Sequence, residues 1–118
     1  MSICWALERQ LERIAAEGLE ARWARHRALA DRTAAWAEGR GLEFASAEGC
    51  RSRTVACLKS PPAVEAPRIV RAAAARGFTI GGGYGKWKPT TFRIGHMGEV
   101  RPPDLEALLA VLGEEIAA

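Results

Sequence analysis

Arg93 stands in the run TFRIG at residues 91–95, a β-leaning stretch in which alternate side chains face opposite ways. Phe92, Ile94 and His96 are expected on one face, and Arg93, Gly95 and Met97 on the other. A guanidinium on a strand, next to a glycine that cannot crowd it, presents the planar fork that grips a carboxylate through two parallel hydrogen bonds. The bland reading is a surface ion pair, the commoner fate of a lone arginine and a weak one. Upstream, Gly81, Gly82, Gly83 and Gly85 leave bare backbone, so that residues 81–98 hold six of the chain's twelve glycines. Backbone without Cβ admits positive φ and lets a ligand or another segment come close. On spacing alone, a flexible turn between two strands explains them equally well.

The glycines do not form a phosphate cradle of known spacing. Counting from Gly81 and Gly83, or from Gly83 and Gly85, the sixth position of a dinucleotide fingerprint falls on Lys86 or Lys88. For a P-loop, Ile80 stands where the first glycine is needed, and Trp87 follows Lys86 in place of Ser or Thr. His96 shares the expected apolar face with Phe92 and Ile94, which suits a hydrogen-bonded core histidine, and His26 is the only other one. Cys4, Cys50 and Cys57 lack the C-x-x-C spacing of a metal or redox site and read as small half-buried hydrophobes in a reducing compartment. No metal site is expected.

Elements that would position Arg93 follow from periodicity. Ile3, Leu7, Leu11 and Ile14 recur at helical spacing, Gly18 ends or bends that helix, and a second runs from Leu19 through Trp23, Ala30, Ala34 and Ala37 to the EGRG punctuation at 38–41. The stripe on these first forty residues is more than a small sheet could cover, so part of it expects a surface outside the chain. Residues 42–46 and 54–58 read as neighbouring strands, and Pro67 opens a helix that stops at Gly77. Residues 78–80 and 91–95 read as two more strands, and RPPDLEALLAVL opens a terminal helix with Leu105, Leu108, Leu109 and Leu112 on one stripe. The pattern predicts an α+β two-layer sandwich: a small, mostly antiparallel sheet at 41–118 with helices on one face, preceded by the helices of 1–40.

With 118 residues the chain is one compact unit, and 17 Lys and Arg against 14 Asp and Glu leave a formal charge of +3, a weak pointer to an acidic partner. The arginines around Trp23 (Arg22, Arg25, Arg27 and Arg32) are diluted by Glu17, Glu20 and Asp31, which reads as a solvated helix face and not as a nucleic-acid surface. No apolar run reaches the roughly 18 residues of a membrane span, and no signal core follows Met1, so a cytoplasmic protein is expected.

FRIGHMG at 92–98, preceded by IGGGYG at 80–85 and a short lysine-containing loop, resembles the carboxy-terminal segment of class V pyridoxal-phosphate-dependent aminotransferases of the alanine–glyoxylate and serine–pyruvate type. EGLEARWARHRALADR at 17–32 is similar to the helix joining their large and small domains, and the likeness continues through RPPDLEALLAVL. The resemblance implies the small domain of a fold-type I enzyme, with Arg93 holding the carboxylate of a small amino acid or 2-oxo acid and Gly81, Gly82 and Gly83 lining the same cleft. Pyridoxal phosphate is the cofactor it implies for the full-length family, with homo-oligomers as the usual assembly. In that family the Schiff-base lysine, the acidic partner of the pyridinium nitrogen and the phosphate cradle belong to the large domain. Lys59, Lys86 and Lys88 lie in no segment like the Schiff-base motif. The expectation is therefore a truncated or excised fragment with no catalytic or cofactor-binding residue of its own, inactive alone. The alternative is a free-standing dimeric module that binds small carboxylates or a protein partner without catalysis.

Overall fold

The computed structural model describes residues 2–117. Helices α1, Ser2–Glu17, and α2, Leu19–Gly39, lead the chain. Gly18 divides them at φ 83°, a backbone region that side chains disfavour. Its N–H still donates to the Ile14 carbonyl at 2.9 Å and its carbonyl accepts from the Arg22 N–H at 3.0 Å, so the helix bends there without abandoning its hydrogen bonds. At the far end the Leu42 N–H returns to the Ala37 carbonyl at 2.9 Å and turns Leu42 into the core.

Three strands follow, β1 (Val55–Lys59), β2 (Gly81–Gly82) and β3 (Thr91–Gly95), paired antiparallel in the order β1-β3-β2. Helix α3, Ala66–Ala75, joins β1 to β2 and carries Pro67 in its first turn, where no N–H is needed. A 3-10 turn at Gly85–Trp87 joins β2 to β3. Helix α4, Pro102–Ala117, starts with the Arg101 N–H held by Asp104 Oδ2 at 2.9 Å. Leu29 and Trp36 of α2, Ala56 and Leu58 of β1, Ile69 of α3, Phe92 and Ile94 of β3, and Leu105, Leu109 and Leu112 of α4 share one buried cluster. The architecture is the α+β one the pattern predicted, with α2, α3 and α4 packed on one face of a small antiparallel sheet.

Three details differ from the sequence reading. Residues 42–46 make only an isolated antiparallel bridge, Phe44 to Leu58, supported by bonds from the Ala45 N–H to the Cys57 carbonyl and from the Lys59 N–H to the Glu43 carbonyl. The strand expected at 78–80 begins at Gly81, because the Phe78 N–H is taken by the Ala73 carbonyl at 2.9 Å where α3 ends, and cannot enter a ladder. On α2 the buried residues are Arg22, Leu29, Thr33, Trp36 and Ala37, while Leu19 and Trp23 stay 54% and 59% exposed. Alanine carries little apolar area, so Leu29 and Trp36, not Ala30 and Ala34, decide which face turns inward. Helix α1 has no buried residue, and its Ile3, Leu7 and Leu11 remain uncovered, as the excess of stripe over sheet predicted.

Candidate functional site

From Phe92 onward the chain of β3 alternates as the order of its residues predicts, but Thr91, in phase with Arg93, is buried where its hydroxyl meets the Trp87 carbonyl. Phe92, Ile94 and His96 are fully buried, Arg93 is half-buried, and Gly95 and Met97 are exposed. Arg93 stands between Cys57 of β1 and Gly81 of β2 on the face that carries no helix. Its Nε–H donates to the Gly82 carbonyl at 2.9 Å, and its guanidinium carbon lies 4.7 Å from the centre of the Tyr84 ring. Among the described residues no carboxylate comes within ion-pair distance of it, and neither terminal nitrogen has a hydrogen-bond partner. That sets it apart from Arg9, Arg22, Arg25, Arg32, Arg51, Arg76 and Arg101, each of which meets a glutamate within 3.5 Å. A half-buried cation with its two Nη groups unengaged is chemically ready to take a carboxylate edge-on.

The three glycines have three different surroundings. A Cβ on Gly81 would lie 3.1 Å from Arg93 Nε and Nη2, so bare backbone here makes room for the guanidinium itself. A Cβ on Gly83 would sit 2.2 Å from Thr91 Oγ1 and 2.4 Å from the Trp87 carbonyl, where the 3-10 turn folds back and Thr91 Oγ1 donates to that carbonyl. Gly82 has open space in that direction, and with Gly83, Pro67, Val70, Arg71 and Lys88 it walls a cavity of about 200 Å³ that does not include Arg93. None of the three adopts a positive φ; Gly85 does, at 52°, where the turn begins. The family resemblance implied that all three line a cleft with Arg93; the structure brings Gly81 and the Gly82 carbonyl against it and uses Gly83 to close the loop.

His96 is the buried core histidine its position suggested. Its Nδ1 lies 3.1 Å from the Arg53 carbonyl, which can only accept, so the ring proton sits on Nδ1. Burial pushes its pKa down, the Arg53 carbonyl opposes that, and the charge on His26 reinforces it.

Sequence reasoning missed a polar cluster. Arg22 and Arg25, assigned to a solvated face, have side chains only 10% exposed. Glu17 accepts from Arg25 Nε at 2.7 Å and from Arg22 at 2.8 Å, and Arg25 also donates to the carbonyls of Gly98 and Val100 at 2.8 and 2.7 Å. Arg22 reaches Glu99 at 3.1 Å, and Arg101 reaches both Glu99 and Glu17. The hydrogen bond from Arg25, helped by Arg22, holds the Glu17 carboxyl at a pKa of about 2, against an ordinary 4.5. The cluster ties the Gly18 bend to the segment leaving β3, through residues 98–101. Its sequence signal was the acidic residue one place before the bend with arginines four and seven places beyond it.

Lys59 is exposed and paired with Glu43 at 2.8 Å, and Lys86 and Lys88 project from the exposed turn after β2. None of the three faces a pocket with an acidic partner and a phosphate cradle, so the described residues do not fit a self-contained pyridoxal phosphate site. Among the described residues no three His, Cys, Asp or Glu side chains gather as metal ligands, and no helix is long and apolar enough to cross a membrane.

No protein-family model matches the chain. The chain is 35% identical over 112 residues to a serine–glyoxylate aminotransferase of Arabidopsis thaliana, covering 93% of itself and 28% of that protein. It superposes on the alanine–glyoxylate aminotransferase of Nostoc with a TM-score of 0.83 at 26% identity, over 92% of this chain and 29% of that one. The chain belongs with the class V aminotransferases and corresponds to their small domain. A relative from Synechococcus, 37% identical over 122 residues and 96% of this chain, carries the name soluble hydrogenase, small subunit, and is matched over 31% of its length. The chain thus spans about 30% of the length of its class V aminotransferase relatives. Their fold, with its small antiparallel sheet under helices, is that of this chain.

Proposed function

We propose that this chain serves as the small domain of a class V pyridoxal-phosphate-dependent aminotransferase, in which Arg93 anchors the carboxylate of a small amino acid or 2-oxo acid during amino-group transfer. On this reading residues 1–40 are interdomain-type helices and 41–118 the substrate-gripping unit. One observation carries the role of Arg93: it is a half-buried arginine with no carboxylate partner among the described residues, pinned by the Gly82 carbonyl with both Nη groups unengaged. Glycine at position 81 supports the role by leaving space for the guanidinium, and the identity to aminotransferases supplies the substrate class.

The chain's own residues bind and orient; the electron-withdrawing chemistry of transamination belongs to the cofactor, which these residues do not hold. Calorimetric titration with pyruvate and with methyl pyruvate tests the anchoring. The carboxylate is expected to bind and the ester to fail, because two parallel N–H···O bonds need both oxygens of an anion. Equal binding of acid and ester would contradict it.

A second reading is a dimeric module that captures small carboxylates without catalysis. The uncovered side of α1, with Ile3 80%, Leu7 58% and Leu11 55% exposed, favours a partner surface there. A symmetric dimer at micromolar concentration in light scattering would support the module; a monomer would count against it.

A further inference from the structure

We propose that Tyr84 is a positioning residue for Arg93: its ring holds the guanidinium flat against the β2 backbone, so that both Nη groups stay turned to an incoming carboxylate. The inference rests on the carboxylate-anchoring reading of Arg93 and names what prepares that side chain for it.

Arginine has long rotamer freedom, and a half-buried guanidinium without a counter-ion would sweep many orientations unless something restrains it. Two contacts lie along the backbone, the Nε–H bond to the Gly82 carbonyl at 2.9 Å and the close pass over Gly81. These fix one edge of the fork and leave its plane free to rock. Tyr84 supplies the remaining restraint, its ring centre 4.7 Å from the guanidinium carbon, with the electron-rich face meeting the cation. No packing reason accounts for an aromatic at this place: Tyr84 is 78% exposed and outside the buried core. Its backbone is nevertheless fixed, because its carbonyl accepts from the Trp87 N–H at 2.9 Å and Gly85 follows in the left-handed region, so the 3-10 turn aims the side chain back over β3. Neutral and aromatic, the ring restrains the cation without neutralising it, which a glutamate at the same position would do. Substrate carboxylate therefore meets a fork already oriented, and less ordering entropy is lost on binding.

The test uses the whole ¹⁵N-labelled chain as wild type, Tyr84→Phe, Tyr84→Ala and Arg93→Ala, and reads the Arg93 Nε–H resonance before and during titration with pyruvate. Tyr84→Ala is expected to move that resonance toward the position of a free arginine, to raise its picosecond-to-nanosecond mobility, and to weaken pyruvate binding roughly two- to five-fold. Tyr84→Phe is expected to preserve resonance, mobility and binding, because the ring and not the hydroxyl acts. Unchanged Nε–H order and unchanged binding in Tyr84→Ala would overturn the positioning role while leaving the anchor reading intact, provided Arg93→Ala abolishes binding. Loss in Tyr84→Phe equal to that in Tyr84→Ala would also overturn it, since the hydroxyl would then be responsible. Pyruvate that leaves the Arg93 resonance unmoved in the wild type would overturn the anchor reading, and the positioning role with it. Amide shifts of Phe92 and Ile94 report in every variant that the core is unaltered.

Discussion

Phe92, Ile94 and His96, along β3 and its continuation, are fully buried on the side where the helices pack, His96 beside Ala30 and Ala34 of α2, whereas Arg93, Gly95 and Met97, one residue out of phase, are half-buried or exposed. Strand β3 and the two residues that continue it thus present two different faces. On the inner face each side chain is chosen for volume, and a change there is felt as lost packing and a cavity. On the outer face the side chains leave room: Gly81 and Gly95 withhold Cβ atoms, and Arg93 is held by a backbone carbonyl and a ring rather than by a counter-ion. The large apolar side chains lie on one side of the strand and the half-buried guanidinium on the other, beside the buried Thr91 that closes the turn.

Substitutions on either face put this division to the test. Phe92→Ala should cost about 3–5 kcal/mol, read as a lowered midpoint in urea unfolding, because it empties the centre of the cluster. Gly83→Ala should cost about 1–3 kcal/mol in the same assay, since its Cβ would meet Thr91 Oγ1 and the Trp87 carbonyl, while Gly82→Ala, with open space before it, should be nearly silent. If the two glycines respond alike, the 3-10 turn does not fold back over Gly83. Acid should weaken the inner face and the Gly18 bend before it affects the outer face. The folded pKa of His96 lies below the ordinary 6.5, so the unfolded chain takes the proton first; stability is complete above about pH 6.5 and falls as the pH drops toward the folded value. Glu17 acts lower, its contribution present above about 4.5 and lost as the pH falls toward about 2. Thermal melts from pH 8 to 2.5 should show both phases, and His96→Gln should remove the first. Arg93→Ala should change stability least, within about 0.5 kcal/mol, because nothing buried depends on its charge.

Much of this was legible before the fold was seen. The alternation of Phe92, Arg93, Ile94 and His96 was legible because period two needs only the order of residues. Gly18, Pro67 and the EGRG stop were legible because their backbone preferences are local. The strand at 78–80 was misplaced because the closing bond of α3 claims the Phe78 N–H, a competition that propensity does not encode. Arg22 and Arg25 were misread because, although Glu17 stands only five and eight residues before them, what buries the pair is the contact with Gly98, Glu99 and Val100, more than 70 residues away, where a charge pattern along one helix cannot reach. The inner logic of the glycine run was hidden for a similar reason: of three identical residues, Gly81 answers to Arg93 and Gly83 to Thr91 and the Trp87 carbonyl, while Gly82 has open space before it. Tyr84 left no periodic signal, since an exposed aromatic in a turn declares itself only when its ring is seen over a cation.

The most direct test of Arg93 as a carboxylate anchor is the affinity of the chain for pyruvate, measured by titration calorimetry, in wild type and in Arg93→Lys. Lysine keeps the charge and loses the planar fork, so the melting temperature should stay unaltered while binding weakens roughly ten-fold or more. Wild-type affinity in Arg93→Lys, or a collapse of its fold, would contradict the anchoring role.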